Sequence, residues 1–119
     1  MTNEDVQDAV AAVPHVVIVE EDRNRGWDGE DDHRWTIAFH ERVEGGREAE
    51  ERAERLAREH IPLAFRYVAE HVGRPGRTVF RMADGSWLVD TWAEHYTEPV
   101  SFRVSTGRLV HEEPASDHP

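Results

Sequence analysis

The chain has 119 residues, 25 of them Asp or Glu against 14 Arg and no Lys, giving a formal net charge of −11, and it contains no cysteine. That balance argues against nucleic acid as a partner, since sequence-independent binding needs Lys and Arg to neutralise phosphates. The missing cysteine excludes disulfides, thiol catalysis and thiolate metal sites. Met1 is followed by Thr2, Asn3, Glu4 and Asp5, acidic where a signal peptide is basic, and the longest uncharged stretch, 9–19, holds Pro14 and is too short to span a bilayer. The expectation is a cytoplasmic protein with no membrane partner, in which residues 1–111 form a single domain and 112–119 a disordered acidic tail.

In chain order, Thr2 or Asn3 can cap a short helix with Val6, Ala9, Val10 and Val13 as its apolar stripe, ended by Pro14. Residues 15–20 follow as a strand rich in β-branched side chains. Residues 22–33 are polar, with Gly26 and Gly29, and read as a loop. Alternation returns over 34–43, which predicts a second strand with Trp35, Ile37 and Phe39 on one face and Thr36, Ala38 and His40 on the other. Gly45 and Gly46 break it.

Residues 47–72 are helical in pattern. Glu48, Glu51 and Glu54 precede Arg52, Arg55 and Arg58 by four positions, and Ala49, Ala53, Leu56, Ala57, His60, Ala64, Val68 and Val72 trace the buried side. Pro62 either kinks this helix or starts a second one. Residues 73–76 stop it with two glycines and a proline.

From 77 to 111 the pattern is an antiparallel meander. A two-residue turn at Asp84-Gly85 sets Met82 opposite Trp87, Phe80 opposite Val89 and Thr78 opposite Thr91. A second reversal near Tyr96 and Thr97 sets Val89 opposite Val104 and Thr91 opposite Phe102. Phe80, Met82, Trp87, Val89, Ala93, Val100, Phe102 and Val104 then share one face, packed on Leu56, Ala64 and Val68. A turn over 105–108 leads to a last short strand. The fold class is α+β in two layers: a four-stranded C-terminal meander and an N-terminal strand pair, packed on one long helix that Pro62 either kinks or divides.

Residues able to carry chemistry are few. Eight histidines suggest a metal site, but none are paired at i,i+3 or i,i+4, so neither a metal nor another cofactor is expected. Asp28, Glu30, Asp31 and Asp32 cluster like calcium ligands, yet Gly29 and the missing Glu at the twelfth position do not fit an EF-hand. Trp27 among them either tucks onto the core or waits for a partner. On the second face of the meander the expected register places Asp90 opposite Arg103, Trp92 opposite Ser101, Arg81 diagonal to Asp90 and Arg77 opposite Trp92. No nucleophile elbow, phosphate loop or dinucleotide fingerprint is present, which weighs against an enzyme.

The function these features suggest is a small acidic module that neutralises or escorts a basic protein partner, as immunity proteins and antitoxins do. Trp27, Asp28, Glu30, Asp31 and Asp32 are its candidate partner-binding residues. Arg77, Arg81, Asp90, Trp92 and Arg103 form a second set, for ligand or partner. The alternative is a small-molecule-binding or enzymatic domain with a pocket between helix and curved sheet. The oligomeric state has no signature in the sequence.

Overall fold

Val16, Val17, Ile18 and Val19 give β1 (Pro14–Asp22) the composition of a strand paired on both sides, and that is its position. The computed structural model describes residues 13–22, 35–71, 73–93, 99–111 and 113, without the side chain of Val68. The expected N-terminal helix, the loop bearing Trp27, Asp28, Glu30, Asp31 and Asp32, the reversal near Tyr96 and nearly all of the tail lie outside the described residues. Together with β1, the strands β2 (Trp35–Glu44), β3 (Gly76–Arg81), β4 (Trp87–Trp92) and β5 (Val100–Arg108) form one antiparallel sheet in the order β2-β1-β5-β4-β3. The architecture is therefore α+β, an antiparallel sheet packed against two helices.

Helix α1 (Gly46–Glu59) lays Ala49, Ala53, Leu56 and Ala57 on the sheet. Three alanines at this spacing let the helix approach closely, and the fully buried Val17, Val19, Val89, Phe102 and Val104 fill the other side. Burying each of those sheet side chains contributes about 1.5–3 kcal/mol. On the helix surface Arg58 pairs with Glu54 at 3.3 Å, as the i,i+4 spacing predicts, whereas Arg52 crosses to Glu41 of β2 at 2.8 Å. Pro62 divides rather than kinks. α1 ends at Glu59, His60 is extended, and a 3-10 turn (Leu63–Phe65) leads into α2 (Arg66–His71).

The meander departs from expectation in three places. Its first hairpin has a three-residue loop, Ala83-Asp84-Gly85: the Met82 N–H donates to the Ser86 carbonyl, the Gly85 N–H to the Met82 carbonyl, and Gly85 takes φ +90°. The extra residue slips β3 by one, pairing Arg81 with Trp87 and Val79 with Val89. Phe80 and Met82 consequently leave the core, at 43% and 42% exposure, and Val79 enters it. Across β4 and β5 the slip is two, with Trp87 opposite Val104 and Val89 opposite Phe102, so the buried face is preserved. Finally, 105–108 are not a turn. β5 continues through them because His15 to Ile18 of β1 pair with Ser105 to Arg108.

A register shift in β2 also moves two aromatic or aliphatic side chains. Val19 pairs with Phe39 but Glu20 with Ile37, leaving Ala38 as the extra residue of a bulge. Phe39 packs on the core, while Trp35 and Ile37 turn to the opposite face.

Candidate functional site

The sheet has an inner face under the helices and an outer face away from them. The slip in β3 sends Arg77 and Arg81 inward, correcting the expectation that they join Asp90 and Trp92. Arg81 lies 4.4 Å over the Trp87 ring and bonds Glu50 at 3.1 Å. Arg58 approaches the same ring at 5.9 Å, and the indole N–H of Trp87 is buried without a hydrogen-bond partner among the described residues.

Arg77 donates to the carbonyls of Ala57 and His60, both at 2.9 Å. These are carbonyls that the end of α1 leaves without helical N–H partners, and a cation there also complements the helix dipole. Burial, reinforced by Arg74 and opposed by Glu59, lowers the pKa of Arg77 from its ordinary value. Glu21 does the converse work from β1. Only 2% exposed, it accepts from the Leu63 N–H at 3.2 Å and lies 2.8 Å from His60 Nε2. One buried carboxyl group and one half-buried guanidinium thus pin the two sides of Pro62. Alternation along β1 places Val17, Val19 and Glu21 on one face, a signal that ending the strand at Glu20 concealed. An open hollow of about 420 Å³ adjoins this joint, lined by Glu59, His60, Ile61, Arg66, Glu70 and Arg74.

The outer face keeps Asp90, Trp92 and Arg103, in a changed arrangement. Asp90 is opposite Ser101, whose hydroxyl donates to it at 2.7 Å. Arg103 pairs not with Asp90 but with Glu20 of β1, through Nε at 2.9 Å and Nη2 at 3.3 Å, and its guanidinium lies 4.3 Å over the Trp35 ring. Trp92 is opposite Gly76 and not Ser101 or Arg77. Its ring covers that glycine so closely that a Cβ there would stand 2.5 Å from it, yet Trp92 is 47% exposed.

Between Trp35 and the β3–β4 hairpin lies a hollow of about 480 Å³, lined by Trp35, Met82, Asp84, Ser86, Leu88 and Arg103. Ser86 donates to the Asp84 carboxylate through its hydroxyl and its backbone N–H, and these bonds, with the charge of Arg103, hold the Asp84 pKa below the ordinary aspartate value. Sequence reasoning missed Glu20 and Trp35 as members of this face, although it had Leu88 there. Among the described residues no three His, Asp or Glu side chains converge as metal ligands, and no helix is long and apolar enough to cross a membrane. Comparison of the chain with protein-family models, with curated proteins and with solved structures finds no match.

Proposed function

We propose that this chain is an acidic protein-binding domain that neutralises or escorts a basic protein, and that it does so through the outer face of its sheet. The observation that carries this reading is the exposure of Ile37, Phe80, Met82 and Trp92 on a face turned away from both helices. Among the described residues, Glu20, Asp22, Asp84 and Asp90 stand among them against the single cation Arg103 at that end of the face. Exposed aromatics supply anchor area, and an excess of carboxylates steers a cationic partner. Residues 23–34 carry Trp27 and four carboxylates but also Arg23, Arg25 and Arg34, so their net charge is small. The loop joins the interface in this reading through its ends, Asp22 and Trp35, while the sheet face supplies the anchors.

The test is retention of proteins from an extract on the immobilised chain, eluted with a salt gradient, beside a column of the Asp84→Asn, Asp90→Asn double variant. Basic proteins should be retained, released by salt and held less firmly by the variant. Retention of neutral or acidic proteins, indifferent to salt and to the substitutions, would overturn the reading. A second reading, small-molecule binding, draws on the hollow beside Trp35 and Leu88, whose volume falls in the range that small ligands occupy. A ligand that raises the thermal midpoint and loses its effect in Leu88→Ser would favour it.

A further inference from the structure

We infer that Asp90 and Trp92 form the receptor for an arginine side chain of the partner. This rests on the outer face being a partner surface and specifies what it recognises. The same face holds one finished example of the arrangement. Arg103 is clamped by both oxygens of Glu20 and lies on the ring of Trp35, so a carboxylate and an indole together fix a planar cation. On the inner face, Trp87 carries guanidinium groups from Arg58 and Arg81. Trp92 is the exception. Among the described residues no cation lies over its ring, and Asp90, two positions along the same strand face, has only the Ser101 hydroxyl as its partner.

The two components stand about 7 Å apart along the strand, a span a guanidinium bridges by resting on the ring and donating to the carboxylate. Gly76 fixes the first component: its missing side chain lets the Trp92 ring lie against the backbone, with the remaining surface open to solvent. Ser101 fixes the second by holding one carboxylate oxygen, leaving the other for an incoming donor. Charge selects the occupant. A second copy of this chain brings another −11 and the same carboxylates, and residues 1–12 bring Glu4, Asp5 and Asp8 with no basic side chain. A basic protein segment brings the missing cation.

The probe is a blocked pentapeptide of alternating arginine and leucine, titrated into the full-length labelled protein while the four tryptophan indole resonances and the Asp90 amide are followed by NMR. Peptides with citrulline, which keeps the shape without the charge, or lysine in place of arginine run in parallel. The expected result is a saturable shift at Trp92 and Asp90 with the arginine peptide, a weaker one with lysine and none with citrulline. Asp90→Asn, which keeps an oxygen for Ser101, should weaken binding on the order of tenfold, the factor that about 1.4 kcal/mol represents. Gly76→Ala, which displaces the ring, should weaken it comparably. Equal shifts with citrulline, or arginine shifts that leave Trp92 and Asp90 unmoved, would overturn the assignment. Basic peptides perturbing another part of the outer face would leave the partner-binding reading standing without it; no perturbation by any basic peptide would remove both. Nuclear Overhauser contacts from Trp92 to Val6 or Val10 in the free chain, or shifts of Trp92 with protein concentration alone, would give the site to the chain's own N-terminal segment or to a second copy.

Discussion

Arg77 and Glu21 show how single charged side chains can decide where a helix stops and another starts. Arg77→Ala removes two charged hydrogen bonds and leaves the Ala57 and His60 carbonyls at a half-buried helix end, so a loss of about 2–3 kcal/mol in urea unfolding is expected. Glu21→Ala strips the partner from His60 and from the Leu63 N–H, and about 3 kcal/mol should be lost. A substitution of either that leaves the denaturation midpoint unchanged would refute the pinning of the joint. Asp84 provides a titration test. Its carboxylate has a lowered folded-state pKa, so its stabilising contribution is present above the ordinary aspartate range and is lost as pH falls through the folded value. Ser86→Ala removes the hydroxyl donor, and carbon-detected NMR should show the Asp84 midpoint moving up toward that of an ordinary aspartate.

At the scale of elements, the first hairpin carries the largest difference between sequence and structure. Asp84-Gly85 marks the turn correctly, but the same dipeptide suits a two-residue loop and a three-residue loop ending in a left-handed glycine. One residue decides which of Phe80 and Val79 is buried, because strand side chains alternate with period two. For the same reason the two-residue slip between the neighbouring strands leaves the buried face unchanged and alters only which residues stand opposite one another. Gly85→Ala places a Cβ at positive φ and should cost roughly 1 kcal/mol, with chemical-shift changes confined to the hairpin. Larger changes extending into β5 would show that this loop governs more than its own register. The joint at Pro62 was open in the sequence, since proline both kinks helices and begins them. His60 in extended backbone and the grip of Glu21 on Leu63 resolve it as a division.

For the whole molecule, the order β2-β1-β5-β4-β3 brings residues 14–22 beside 100–108 and thereby assembles the outer face. Glu20 and Trp35 reach Arg103 only through that pairing. If the face binds a basic partner, association should slow steeply as salt rises from about 0.05 to 0.5 M, because screening shortens the reach of the field to a few ångströms. Stopped-flow association rates measure this, and a rate indifferent to salt would oppose electrostatic steering. The sequence by itself determined the α+β class, the buried stripe of α1 and the burial of Trp87, Val89, Phe102 and Val104, because local periodicity records which side of an element avoids water. It also determined the net charge, which favours a cationic partner. Only the tertiary structure decided the loop length of the first hairpin, the place of β1 between β2 and β5 and the exchange of Asp90 for Glu20 as the partner of Arg103. Pairing between strands more than eighty positions apart leaves no periodic trace in either strand, since hydrogen bonds along a backbone edge are the same for every sequence.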